Sequence, residues 1–504
     1  MNSIWLSLLW KEWREQRWKM AALTVLMACL PILSLLFFGF YNDQQVVQSV
    51  LLMPASGIFV YSIVASLFVG MSVSAGENAR NTSTFLRGLP VSMWQPGSAK
   101  LLTALLVLVV PLCALVLMEF LLLNWLEPNR DLQLEMQREL NLAFGWRLEN
   151  LFLSQLIVGL LGVTSLLIWT VAIGVNRSDE VRAGAISFLV IAASWLVFVS
   201  VMIFVEKYIH RTSAIERETI MTVFPGGVAL AARLWGGASS GEFWRFVCLA
   251  TTVHGILIFW FLKRFARVGK TTTHEIGDRW SFGISKNAAP FSSPTTAIIW
   301  KQILETGPLA IIAAGGVLAI VTAIYWWQLS QGGQTSFSDM LKGVAIMVGV
   351  LVTLVTGIGV LLEDYAPGVV NFWRSRPINL HAWFAVKYLT GFAVLVLSFG
   401  ALLIFATELE DWQDVTLTNV SFIVAIFLLI YTMALAAFAL LRQPIYTATL
   451  TFCCFLVIVA TLDVVFNSPN DFWQAVICYT VSLLVLILLA WQAVVRNWGW
   501  KQHR

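Results

Sequence analysis

Residues 101–123 read LLTALLVLVVPLCALVLMEFLLL, twenty-three positions with one charged side chain, Glu119. At 1.5 Å per residue a helix of that length measures about 35 Å, enough to cross the roughly 30 Å hydrocarbon core of a bilayer. A helix bonds its own backbone groups internally, which a lipid-embedded segment must do. Outward from this stretch, similar apolar runs recur at 20–40, 50–75, 151–173, 183–205 and 243–262. They continue at 308–327, 344–362, 384–406, 420–441, 445–466 and 475–495. Trp125, Trp326, Trp327, Trp412 and Trp473 sit near the ends of such runs, where amphipathic rings anchor in the interface. The expectation is an all-α polytopic membrane protein of about twelve transmembrane helices, arranged as two six-helix repeats.

Composition excludes the alternatives. Of 504 residues, 59% are hydrophobic and 12% charged, and mean hydropathy is +0.79. Soluble domains carry roughly 45–50% apolar and about 25% charged residues. With 33 Gly and 14 Pro, the chain is neither collagen-like nor low-complexity. The six cysteines, Cys29, Cys113, Cys248, Cys453, Cys454 and Cys478, lie in apolar runs without CxxC spacing, and read as small hydrophobes. The first apolar run is long and follows a charged stretch, so it reads as a retained span, not a cleaved leader.

Orientation follows from positive charge. With both termini cytoplasmic, the inner segments hold 23 of the 32 Lys and Arg, while about 18 of the 28 acidic residues fall outside. That register satisfies the positive-inside rule. The net charge of +4 then reflects orientation in a plasma or inner membrane, and implies no nucleic acid.

The two sets of six spans read as copies. Trp10-Lys11-Glu12, with Glu15 following, matches Trp300-Lys301-Gln302, with Glu305 following, at an offset of 290. Phe85-Leu86-Arg87-Gly88-Leu89-Pro90-Val91 matches Phe372-Trp373-Arg374-Ser375-Arg376-Pro377-Ile378 at an offset of 287. Glu77 meets Asp364, and Lys100 meets Lys387, at that same offset. The first copy is longer in the outer segments 124–150 and 206–242. The expected organisation is a first half at 1–265, a polar cytoplasmic linker at 266–297, and a second half at 298–504.

Several constellations carry functional expectations. The start, Trp5 to Lys19, mixes Trp with Lys and Arg as an interfacial helix does. Trp10, Lys11 and Glu12 mark it, and Trp300 and Lys301 mark its recurrence. Between the second and third spans of each half comes an acid (Glu77; Glu363 or Asp364), then a basic-apolar stretch ending in Pro90 or Pro377. Proline stops a helix, so this segment is either a rigid stub able to pass force between a soluble partner and two spans, or an ordinary polar loop. Glu119 and Asp463 are carboxylates near the outer ends of spans, where function and reach to the interface compete as explanations, whereas His254, in the sixth span, reads as a proton relay or as a hydrogen-bonding group to a neighbouring helix. Gly269-Lys270-Thr271 imitates the end of a P-loop, but Arg264 stands where that motif needs Gly, so the chain offers no ATP site.

These motifs resemble the permease subunits of ABC exporters of the ABC-2 type, over essentially the whole chain as two fused halves. The resemblance rests on the repeated Trp-Lys-Glu start, on Glu77 followed by Thr84-Phe85-Leu86-Arg87-Gly88-Leu89-Pro90-Val91-Ser92 and Lys100, and on the six-span unit. It implies connector helices at the two starts and coupling segments that dock ATP-binding subunits. Glu77, Arg87 and Pro90 would line one docking site; Glu363, Asp364, Arg374, Arg376 and Pro377 would line the other. It implies two copies of a soluble ATP-binding subunit, with ATP and Mg on that partner, and no catalysis, cofactor or metal on this chain. Ile220-Met221-Thr222-Val223-Phe224-Pro225-Gly226-Gly227-Val228-Ala229-Leu230 resembles the family's outer re-entrant element, for which 467–474 is too short in the second half. The expected function is export of a hydrophobic or amphipathic substrate. The alternatives are an ion-coupled secondary transporter of 6+6 architecture and a membrane scaffold that binds a partner through its outer segments.

Overall fold

In a computed structural model of the chain, the residues described are 2–38, 43–79, 92–126, 151–175, 177, 180–209, 219–232, 240–265, 293–330, 336–362, 364–365, 369–370, 379–408, 417–444, 446–448, 450–451, 454–455 and 472–496. Among them there is no strand. The helices are α1 (Asn2–Phe38), α2 (Asp43–Ala79), α3 (Trp94–Leu126), α4 (Leu151–Gly174), α5 (Glu180–Ile209), the short α6 (Gly227–Ala232) and α7 (Ser240–Arg264). They continue with α8 (Pro294–Ser330), α9 (Phe337–Leu362), α10 (Leu380–Leu395), a π-turn at Val396–Gly400, α11 (Ala401–Glu408), α12 (Leu417–Leu441) and α13 (Phe472–Val495).

Among the described residues, seven helical stretches are long and apolar enough to cross a bilayer. They are Trp94–Leu122, Phe152–Gly174, Trp244–Arg264, Thr295–Ala319, Phe337–Leu362, Leu380–Ala406 and Ile423–Leu441. Shorter apolar stretches lie at Tyr61–Glu77, Ile186–Phe198 and Tyr479–Val495. The protein is an all-α, multi-pass, membrane-embedded chain. The expected span 445–466 falls mostly outside the described residues.

The first helix departs from expectation. The Trp-rich start is no separate element: α1 runs unbroken from Asn2 to Phe38, about 55 Å at 1.5 Å per residue. Its buried positions, Leu8, Glu12, Gln16, Lys19, Leu23 and Met27, recur every three or four residues and form one face, packed on α3. Leu6, Trp10 and Trp18 point outward. Glu12, Gln16 and Lys19 thus face protein, while Trp10 and Trp18 share the exposed face with Lys11, Arg14, Glu15 and Arg17. α8 is likewise a continuous helix of 37 residues, burying Gln302, Thr306, Ala310, Ala313 and Val317 and exposing Trp300.

Two apolar cores hold the helices. One is built on residues between Leu23 and Phe265, the other on residues between Ala313 and Val494. Phe68 of α2 reaches across to the second core, and α5 packs on α8. In the second core the backbones of α9 and α12 approach closely: a Cβ on Gly357 would stand 2.8 Å from the Tyr431 carbonyl oxygen.

Candidate functional site

Two buried ion-pair clusters lie at the helix ends, one where α2 ends and α3 begins, the other where α9 ends and α10 begins. Lys100, near the start of α3, is inserted between α1 and the end of α2. Its Nζ stands 2.9 Å from Glu12 Oε2 and 2.8 Å from Glu77 Oε1, and the Lys100 and Glu12 side chains are only 8% and 3% exposed. Lys11 sits on the rim, 44% exposed, with its Nζ 3.5 Å from Glu12, 3.7 Å from Glu77 and 3.8 Å from Glu15. Two carboxylates therefore flank the buried Lys100 ammonium. Three helices are thereby tied at one point.

The second cluster uses Lys387 of α10. Its side chain, 2% exposed, pairs with Asp364 just past the end of α9, and its Nζ donates to the Val360 carbonyl at 3.1 Å. The Trp383 ring lies 5.3 Å from Nζ, and Glu305 of α8 stands 4.0 Å away. Lys301 takes the rim position, 3.2 Å from Glu305 and 3.3 Å from Asp364. Where the first cluster has Glu12, the matching side chain here is Gln302, wholly buried, with no partner for either amide atom. Asn379 caps α10 by accepting from the His381 and Ala382 amides at 3.0 and 3.3 Å, which sets the helix start about two turns before Lys387.

Between the two cores is an apolar cleft of about 120 Å³. Ile63, Leu67, Phe68 and Met71 of α2, Gly184 and Phe188 of α5, and Val352, Val355 and Ile358 of α9 line it, with Pro444 at one edge.

Away from the clusters, two polar contacts join helices. Gln155 Nε2 of α4 donates to Glu119 Oε1 of α3 at 3.1 Å. Deeper, Ser165 Oγ accepts from the Gly226 amide at 2.9 Å and lies 2.8 Å from His254 Nε2. His254 Nδ1 lies 2.7 Å from the Ala250 carbonyl, which can only accept, so the hydrogen sits on Nδ1 and the Ser165 hydroxyl donates to Nε2. Gly226 has φ of +73°, the left-handed region, which turns the chain between a helical stub ending at Met221 and α6. The Trp195 indole donates to the Pro225 carbonyl at 3.0 Å, and Val228 and Ala231 pack with Phe246 of α7. The segment 219–232 is thus a broken helical element folded against α4, α5 and α7.

Of the residues singled out in the sequence, Lys11, Glu12 and Glu77 meet in one cluster, and Lys301 and Asp364 in the other. Trp10 and Trp300 remain on the exposed faces, apart from the clusters. Glu119 and His254 are each hydrogen-bonded within the helix bundle. Arg87, Pro90, Glu363, Arg374, Arg376, Pro377 and Asp463 lie outside the described residues. Sequence reading missed Gln155 and Ser165 as partners. The available signal was the lone carboxamide in α4, the sole Asn or Gln of that helix. No protein-family model matches the chain, and comparison with curated protein sequences finds no match.

Proposed function

We propose that the chain is the membrane-spanning permease of an ATP-binding-cassette exporter, with two six-helix halves fused and ATP hydrolysis supplied by two separate soluble subunits. The observation that carries the reading is the pair of ion-pair clusters. Lys11, Glu77 and Lys100 correspond in sequence to Lys301, Asp364 and Lys387, and each trio joins the starting helix to both ends of the segment between the second and third spans. The buried faces keep the same register, with Glu12, Gln16, Leu23 and Met27 answering Gln302, Thr306, Ala313 and Val317 at the offset of 290. On this reading Glu77 and Asp364 anchor the bases of the coupling segments, leaving Arg87, Arg374 and Arg376 to meet the partner. A segment tied at both ends by buried ion pairs passes displacement to three helices at once. The apolar cleft between the cores then marks the central path, and its lining suits a hydrophobic or amphipathic cargo.

The test is affinity purification of the tagged full chain in mild detergent, with identification of what co-purifies. A soluble ATPase at about two copies per chain, lost on reversing Arg87 and Arg374 to Glu, is the expected result. A well-folded chain that reproducibly carries no ATPase, yet moves cargo on an imposed ion gradient, would overturn the proposal in favour of a secondary transporter.

A further inference from the structure

Glu119 and Gln155 face each other between α3 and α4, both shut away from solvent at 0% and 1% exposure. Their one hydrogen bond uses half of what the pair offers. Gln155 Nε2 donates to Glu119 Oε1, while Glu119 Oε2 and Gln155 Oε1 have no partner. Both unpartnered atoms are acceptors.

Among the described residues, no opposite charge faces them from the packed elements. α4 contains no Lys, Arg, His, Asp or Glu, and neither does α1 from Met20 to Phe38, where Cys29 is the sole titratable group. The outer half of α2 contributes only Asp43, at its first residue, and Tyr61 donates its hydroxyl to the Leu108 carbonyl. α7 brings Glu242 and Arg245 at its outer start, Cys248, and His254, which is held by Ser165. On α3 itself are Cys113 and Lys100; Lys100 lies 19 residues away, about 28 Å along the helix, and is paired with Glu12 and Glu77. A carboxylate in a closed apolar site, with one hydrogen bond and no counter-charge, is heavily penalised.

A divalent metal ion does not fit. Hard cations gather six or more oxygens, this pair carries three, and no group of three metal-binding side chains occurs among the described residues. One hydrogen does fit. Placed on Glu119 Oε2 and shared with Gln155 Oε1, it occupies both free positions and removes the charge. Acid and amide then exchange two hydrogen bonds in a ring.

We propose that Glu119 and Gln155 form a proton-binding site joining the outer ends of α3 and α4. Releasing the proton requires water at the pair, so its occupancy follows the closure of these two helix ends. The site is one-sided: the position matching Glu119 at the offset of 287 is Ala406, whose carbonyl accepts from the Ser338 hydroxyl. The inference stands on this pair alone and is independent of the ATP-driven reading.

The experiment is infrared difference spectroscopy of the full chain in lipid nanodiscs at neutral pH, wild type against Glu119→Gln. The expected difference is the loss of one protonated-carboxyl C=O band. Gln155→Leu should shift that band to higher frequency, because the acid loses its amide partner. Should Glu119→Gln fail to fold, the shift between wild type and Gln155→Leu, both labelled with carbon-13 glutamate, reads the same contact. A carboxylate signal in place of the acid band would overturn the proposal. So would an acid band that Gln155→Leu leaves unmoved, or a melting temperature raised by sodium over choline in wild type and not in Glu119→Gln.

Discussion

Replacing Lys100 by Met leaves Glu12 and Glu77 side by side, with side chains 3% and 12% exposed, and takes away the cation that lies within 2.9 Å of both. Breaking a buried pair by removing one partner costs about 3–5 kcal/mol, chiefly because the remaining charge keeps its desolvation penalty. Lys11 belongs to the same cluster but is 44% exposed, where an ion pair contributes roughly 0–1 kcal/mol. The two lysines therefore predict losses that differ by about 3 kcal/mol, although both contact Glu12 and Glu77. The mechanism also predicts a rescue. Neutralising the stranded acids, in Lys100→Met with Glu12→Gln and Glu77→Gln, should recover most of the loss while adding no attraction. Because the cluster is shut from solvent, the difference should persist at raised salt, unlike that of a surface pair. The assay is thermal and denaturant unfolding of the purified chain in one fixed detergent, followed by tryptophan fluorescence and by retention on size exclusion. Equal destabilisation by Lys100→Met and Lys11→Met, or no recovery in the triple variant, would refute the reasoning.

Two further predictions use the same measurement. Gln302→Leu removes two buried polar atoms that have no partner and keeps the side chain's bulk, so it should leave stability unchanged or raise it by about 1–3 kcal/mol; a clear loss would mean that Gln302 is partnered after all. Ser165→Ala strips the Gly226 amide and His254 Nε2 of their shared partner and should cost about 1–3 kcal/mol. Limited proteolysis of the intact protein should then find the 219–232 element more readily cut. An unchanged digestion pattern would show that Ser165 does not hold that element.

The membrane class was legible because it depends on local quantities. A run such as 101–123, with one charge in twenty-three residues, has no soluble alternative, and a run of that length sets the helix that must cross. Charge distribution along the chain likewise sets the expected orientation without reference to packing. The offsets that align Lys11 with Lys301 and Lys100 with Lys387 were also visible, as were the acids near them. Their pairing was not. Glu12 and Lys100 are 88 residues apart and Glu77 lies between them in sequence, so only the packing of α1 on α3 brings the three together.

The start of the chain shows why the remainder needed tertiary structure. Trp beside Lys and Arg from Trp5 to Lys19 fits a helix lying in the interface, since periodicity says which residues share a face but not which face meets protein. Packing decided that, turning Glu12, Gln16 and Lys19 inward and Trp10 and Trp18 outward along one continuous helix. Glu119 is a parallel case. Its position near a span end reads equally as a side chain reaching for water or as a buried group. Gln155, on a different helix, and the complete burial of both side chains settle the point. By itself the sequence determined the membrane class and the candidate charges, because each follows from composition and spacing along the chain. Which charges neutralise one another, and which polar groups are left without a partner, depends on distances between helices, and only the folded structure decided those.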